Sequence, residues 1–350
     1  MIWMNIHVPP SAGALGWHEV EFFMIAERGV LEAQAVLLCH SIRVLAGTYA
    51  KSPITVVSPR RNRRPCRETL RALHDLDVEY LELQLDSPCP TYGPSYRVLA
   101  AARMERRGRA PILVQLDSDT IFLTEPDFSM AAGHAAARPV DVKGMCTAGT
   151  ADPFDPYWRG LCDLFHVDYD SLSWVTTTVD RKTVRANYNG GLIAVRRAGG
   201  ILQQAEEFFL RLVVAERKPW ANCATLVKAG AGLVDQAGSE YWGTSQAAFS
   251  LAVTALGGIL EILPPSYNVP LHSFDCLPSV TTAPVHVHYH WLCSEGECAR
   301  NPLLDGRLPV PPEVSSWLRR NLPLRIPDLT MFEKLAKLYS SRRDHDLRSK

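Results

Sequence analysis

The chain has 350 residues, a formal net charge of zero and 47% hydrophobic residues. It can bury a sizeable α/β core, and it lacks both the basic excess of a dedicated nucleic-acid binder and the composition of a disordered protein. Nine cysteines, odd in number and scattered, and an N-terminus (MIWMNIHVPP) without the charged head and apolar core of a signal peptide lead us to expect a reduced, cytoplasmic setting.

Residues 21–26 (EFFMIA) read as a first strand. After Glu27-Arg28-Gly29, Leu31, Ala35, Leu38, Ile42 and Leu45 recur at three- and four-residue spacing, which is one face of a helix over 30–45. Residues 53–58 form a second predicted strand, 67–76 a helix, 78–83 a third strand and 95–107 a further helix. With the apolar run 112–116 this makes four strands with helices between them, the pattern of a parallel sheet with right-handed crossovers. No G-x-G-x-x-G follows the first strand and no Walker-type G-K-S/T occurs, so a standard dinucleotide site or P-loop is not expected. The basic run Arg60-Arg61-Asn62-Arg63-Arg64, continued by Arg67 and Arg71, reads as a solvated loop and first helical turn. An anionic acceptor, a phospholipid surface or RNA are its functional alternatives.

The stretch 111–126 (PILVQLDSDTIFLTEP) organises the rest. Ile112, Leu113, Val114 and Leu116 suit a strand buried on both faces, and that strand ends in two carboxylates, Asp117 and Asp119. Ligands of open α/β sheets bind outside the carboxyl ends of the strands. Two carboxylates this close repel each other unless a cation lies between them. A hard divalent ion such as Mg²⁺ or Mn²⁺, shared with a phosphate, meets that need. Arg97, at the start of the preceding helix, either offers a bidentate fork to the same place or faces solvent.

Residues 135–145 look extended, and 152–168 (DPFDPYWRGLCDLFHVD) are rich in aromatics and aspartates, suited either to an acceptor pocket or to the core. In 187–197 (NYNGGLIAVRR) the pair Gly190-Gly191 precedes an apolar strand, and glycine there lets a ligand approach the backbone. Residues 200–217 form an amphipathic helix, and Gln246 introduces the helix that begins at Ala247. The mostly apolar run 247–260 is too short to span a bilayer and reads as core helix, so membrane contact is expected to be at most peripheral. A strand over 259–263 runs into the rigid loop Pro264-Pro265-Ser266-Tyr267-Asn268. Residues 284–291 (PVHVHYHW) alternate strictly, which puts His286, His288 and His290 on one face of a strand. Three such histidines, with Cys293 and Cys298 nearby, invite a zinc-site reading. Side chains two apart on an extended strand diverge, so one metal-bound histidine is the expectation.

In this order, the D-x-D, the Asn-x-Gly strand, the Gln246 helix, the Tyr-Asn loop and the late histidine resemble the motifs of glycosyltransferases with the nucleotide-diphospho-sugar transferase (GT-A) fold, in particular the family-8-like retaining enzymes. The resemblance spans residues 21–291. It implies an α/β fold with a Rossmann-like, mostly parallel central sheet, helices on both faces and a smaller acceptor-side subregion. It also implies a metal-dependent hexosyltransferase whose donor is a nucleotide-diphosphate sugar, of the UDP-sugar type, with a glycan, lipid or small-molecule acceptor and no nucleic acid. Carried over residue by residue, Mn²⁺ or Mg²⁺ sits on Asp117, Asp119 and His288, with His286 as the alternative histidine. Ala26, Glu27, Arg97, Ser118 and Gly190 line the donor, and Asn189 and Gln246 meet the transferred sugar. Two departures stand out: Ser245 replaces the family's aspartate beside Gln246, and the downstream lysine has only Arg300 as a substitute.

The resemblance favours retention; an inverting enzyme would need a carboxylate base, for which Asp235 and Glu240 are the candidates. The alternatives are a catalytically inactive GT-A-like binding domain, a sugar-phosphate nucleotidylyltransferase, or a zinc hydrolase built on His286, His288 and His290. The expected organisation is an extension over 1–18, a transferase domain over 19–300 and a Pro-rich segment with a basic helical tail over 301–350. Within the domain, 19–125 form the nucleotide-binding half and 126–300 the donor-sugar and acceptor half.

Overall fold

The computed structural model describes residues 16–130, 133–221, 228–229, 232–277 and 283–327. Its first third alternates β1 (Val20–Ile25), α1 (Val30–Leu45), β2 (Ile54–Ser58), α2 (Arg67–Asp75), β3 (Glu79–Glu82), α3 (Pro94–Arg107) and β4 (Ile112–Leu116). The chain continues through β5 (Thr120–Phe122), β6 (Ala135–Pro139), α4 (Asp155–Phe165), the hairpin of β7 (Trp174–Thr176) and β8 (Thr183–Arg185), β9 (Tyr188–Arg196) and α5 (Ile201–Val214). Next come the two-residue strands β10 (Lys228–Ala229) and β11 (Gly232–Leu233), then α6 (Gln236–Glu240), α7 (Thr244–Ala255), β12 (Leu260–Ile262), β13 (Val269–Pro270) and β14 (His286–His288). Three short helices close the described chain: α8 (Glu295–Ala299), α9 (Pro302–Asp305) and α10 (Pro312–Asn321).

Seven strands make the main sheet in the order β12-β6-β9-β4-β1-β2-β3. β9 runs antiparallel to both β4 and β6, while the other neighbours pair parallel. The mostly parallel sheet expected from the alternation is therefore present. Both faces are covered, as buried parallel strands require. One layer packs α1 and α2 on the sheet through Ala35, Leu38, Ile42 and Leu73. The other brings α3, α4, α5 and α7 together through Val98, Trp158, Phe209 and Phe249. Each such large apolar side chain contributes about 1.5–3 kcal/mol on burial.

α1 begins at Gly29, whose φ of 104° no β-carbon tolerates well. The Glu32 carboxylate accepts from the Gly29 N–H at 2.8 Å, and also from Cys66 N at 2.7 Å and Thr69 Oγ1 at 2.9 Å, tying α1 to the start of α2. On the opposite side Arg197 is 12% exposed and clamps three elements. Its guanidinium donates to the Ala110 carbonyl at 2.8 Å, the Glu105 carbonyl at 3.0 Å and the Glu21 carboxylate at 2.8 Å.

A second, three-stranded sheet, β13-β14-β5, carries the continuation of the Asp117 strand into the C-terminal half. Its core joins Ile121, Val287 and Tyr289 to Trp317 and Leu318 of α10. Within the Pro-rich segment and helical tail expected over 301–350, α9 and α10 pack against the body through Leu303, Trp317 and Leu318; residues 328–350 lie outside the described residues. Among the described residues no helix is long and apolar enough to cross a membrane.

Candidate active site

β4 is buried throughout, and the chain turns at Asp117-Ser118-Asp119 into β5. The Thr120 hydroxyl donates to the Asp117 carbonyl at 2.7 Å and fixes that turn. β14 pairs antiparallel with β5, placing His288 opposite Thr120, and the Tyr289 N–H donates to the Asp119 carbonyl at 3.0 Å. His288 Nε2 thereby meets Asp119 Oδ1 at 3.1 Å. The strand stops there, and His290 takes a left-handed φ of 59° that curls its ring back, 4.0 Å from the His288 ring. His290 Nδ1 lies 2.9 Å from Asp119 Oδ2. One ligand atom from each of Asp119, His288 and His290 lies within 4.8 Å of the others, and no further cluster of this kind occurs among the described residues.

The expectation that alternating histidines diverge holds for His286 only. That ring is fully buried against its cross-strand neighbour Phe122, 4.7 Å between centroids, further back along the same face of β14. His286 therefore does not belong to the cluster, and neither Cys293 nor Cys298 joins it.

The cluster is strongly polarised. Burial alone would push the Asp119 carboxyl up, but His288 and His290 beside it hold it far below the usual carboxylate range. Burial likewise disfavours charge on His288, yet Asp119 prevails and raises its pKa to about 9. His272, its ring 4.3 Å from that of His290, is driven down to about 4 by burial and by the two neighbouring histidines.

Asp117 takes a different partner, an ion pair with the Arg97 guanidinium from the first turn of α3. The two glycines of β9 explain how these side chains fit. A β-carbon on Gly190 would stand 2.5 Å from Arg97 Nη2, and one on Gly191 would stand 2.4 Å from Asn268 Oδ1 and 2.8 Å from His288 Nδ1. The close approach expected of a ligand at this pair is made by the protein's own side chains. Asn189-Gly190-Gly191 lies inside β9, not in a turn.

All of this opens into a cleft of about 630 Å³ at the strand ends. Of the residues expected in the site, Glu27, Arg97, Asp117, Ser118, Asp119, Asn189, Gln246 and His288 line it. Gly190 lies behind Arg97, and Ala26 is fully buried at the end of β1. Ser245, where the resemblance would place an aspartate, shares a 3.0 Å hydrogen bond with the Tyr92 hydroxyl. Asp235 and Glu240 are not in the cleft: Asp235 caps α6 by accepting from Gly238 N at 2.7 Å, and Glu240 pairs with Lys218 at 2.9 Å. Arg300 is exposed and also outside it.

Sequence reasoning missed four contributors. His290 was set aside by the strand geometry, and nothing drew notice to His272. Asp141 follows β6 and carried the same strand-end signal as Asp117; it accepts from Asn189 Nδ2 at 3.0 Å and Thr178 Oγ1 at 2.7 Å, and burial raises its pKa. Arg60, assigned to a solvated run, instead folds over the Tyr96 ring at 4.4 Å and grips the buried Glu27 carboxylate, with Nε donating at 2.6 Å. The block of like charge around it gave no sign of this.

A two-faced α/β sheet with charged side chains gathered at the strand ends has the architecture in which ligands bind outside the carboxyl ends of the strands. Residues 22–257, well over half of the chain, match the family model described as the Rhodobacterales glycosyltransferase domain, and the chain belongs to that family. It is a glycosyltransferase. No curated protein sequence matches it. The crystal structure of mouse xyloside xylosyltransferase 1 in its apo form is similar with a TM-score of 0.42 and 12% identity, over 77% of this chain and 97% of that chain.

Proposed function

We propose that this glycosyltransferase has the GT-A fold, takes a nucleoside-diphosphate sugar as donor, and transfers the sugar with retention in a metal-dependent reaction. The observation that carries the reading is the convergence of Asp119, His288 and His290 beside the Arg97–Asp117 pair at the mouth of one cleft. The donor set fits a divalent ion, because three ligand groups stand together and the remaining ring nitrogen of His288, buried and without a hydrogen-bond partner, is left for an outer contact. Two imidazoles with one carboxylate suit Mn²⁺ better than Mg²⁺, which prefers oxygen ligands and keeps several waters.

Asp119, His288 and His290 would hold the ion, whose chemistry is Lewis-acid stabilisation of charge building on the departing diphosphate. Arg97, held in place by Asp117 and the Gly190 backbone, would supply a second positive charge to the same oxygens. Glu27, Ser118 and the wall beside β1 would face the nucleoside. Asn189 and Asp141, already hydrogen-bonded to each other, present polar atoms for sugar hydroxyls, with Gln246 across from them. Retention is supported by the positions of Asp235 and Glu240 outside the cleft, the donor phosphate then accepting the acceptor proton; an inverting reaction would have to use Asp141, which lines the cleft. Trp220, Trp242 and Trp291 line the cleft, and their ring faces favour a glycan among the possible acceptors.

The test is thermal stability of the purified protein against a panel of nucleoside diphosphates and sugar nucleotides, with and without Mn²⁺. Ligand that binds only the folded state raises the midpoint by mass action. A Mn²⁺-dependent rise with one nucleotide is expected, lost in Asp119→Ala; in Asp117→Ala, Mn²⁺ binding should survive while the nucleotide effect weakens. No rise with any nucleotide refutes the donor assignment.

A further inference from the structure

We infer that Asn268 is a positioning residue for the metal centre, its side-chain carbonyl accepting from His288 Nδ1–H so that Nε2, beside Asp119, is the nitrogen that binds the ion. The inference rests on the metal centre proposed above.

Among the buried polar atoms near the cluster without a hydrogen-bond partner are three that matter here: His288 Nδ1, Asn268 Oδ1 and Asn268 Nδ2. Asn268 is 2% exposed, so its carboxamide is withdrawn from solvent at a cost that only a partner offsets. Two of the three orphans converge on one point. Measured from the place where a β-carbon on Gly191 would stand, Asn268 Oδ1 is at 2.4 Å and His288 Nδ1 at 2.8 Å. Gly191 has no side chain there, so a rotation of the carboxamide or one bridging water joins acceptor to donor. The backbone holds Asn268 to this task. It has a left-handed φ of 46°, a conformation that asparagine tolerates better than most residues, and the next residue enters β13, which pairs parallel with β14 (Val269 with Val287, Pro270 with His288).

The chemistry needs such a partner. Imidazole has two tautomers, and only the one protonated at Nδ1 leaves Nε2 free to bind a metal. A carbonyl acceptor at Nδ1 selects that tautomer and orients the ring, as is general for metal-bound histidine. His290 is arranged the other way round, with Nδ1 toward Asp119, so the two rings need separate outer contacts.

The experiment is Mn²⁺ titration of the full-length protein, followed by the electron spin resonance of the free ion, in wild type, Asn268→Gly and Asn268→Asp. Glycine removes the carboxamide and keeps the left-handed backbone accessible, and aspartate restores an acceptor. The metal-free thermal midpoint is measured for each. Alongside, imidazole ¹⁵N–¹H correlations of wild type loaded with diamagnetic Zn²⁺ report the His288 tautomer directly. We expect Asn268→Gly to weaken Mn²⁺ binding about 10–100-fold, Asn268→Asp to recover most of the affinity, and His288 to be protonated at Nδ1. Equal Mn²⁺ affinity in wild type and Asn268→Gly, an aspartate variant as weak as the glycine one, or His288 protonated at Nε2 in the loaded protein would each overturn the inference while leaving the donor assignment intact. Wild type that binds no Mn²⁺ overturns this inference and the proposed metal centre together, whereas nucleotide binding without any effect of Asn268 overturns this inference alone.

Discussion

At the scale of single residues, the site is governed by one carboxylate shared between two imidazoles. With its folded pKa raised to about 9 from the ordinary 6.5, His288 gives the metal-free protein stability that is fully present below pH 6.5. That stability is lost as pH rises through about 9. The thermal midpoint of metal-free protein should therefore fall across this window. Mn²⁺ must displace the proton on Nε2, so its affinity should rise across the same window, and the gap between loaded and metal-free midpoints should widen. A gap that stays constant from pH 6.5 to 9 would remove His288 from the metal centre. Asp119 behaves in the opposite sense, its depressed pKa keeping the carboxylate charged until strongly acidic pH.

Elements set where these residues stand, and the glycines of β9 are the clearest case. The Gly190 β-carbon position is 2.5 Å from the flexible end of Arg97, so Gly190→Ala should push the guanidinium away from Asp117 and leave the sheet folded. Loss of a charged hydrogen-bonding partner is worth about 1.5–3 kcal/mol, or one to two decades in the dissociation constant of the nucleoside diphosphate. Calorimetric titration should show that loss with Mn²⁺ affinity nearly unchanged; equal losses of both would mean that the strand itself had moved. The apolar periodicity that announced α1 ends where it was expected, at Leu45, because a helix face follows directly from residue spacing. β14 is shorter than its alternation suggested: three residues, His286 to His288, since the left-handed turn at His290 breaks the ladder.

For the whole molecule, the metal cluster depends on a layer far from the cleft. The three-stranded sheet that carries β5 and β14 rests on α10, where Leu318 is fully buried. Leu318→Ala should cost about 2–5 kcal/mol through the cavity left behind, read by chemical denaturation. It should also weaken Mn²⁺ binding, because β14 loses support beneath His288. Destabilisation with unaltered metal affinity would show that β5 and β14 hold their pairing without α10.

The sequence by itself determined the alternating strands and helices of the first third and the placing of Asp117 and Asp119 at a strand end. Those are consequences of local period and of the chemistry of buried strands. Asn189 and Gln246, named through the resemblance, both line the cleft. Only the tertiary structure decided which groups meet. Asp119 and His290 are 171 residues apart, and their contact exists because β14 pairs with β5 and the chain then turns left-handed. The same holds for Arg60 folding onto Glu27, for Asp141 reaching Asn189, and for Asn268 and His288 each standing against Gly191. Composition and spacing register what a residue does to its own segment. They carry no record of the long-range pairing that sets two side chains at hydrogen-bonding distance.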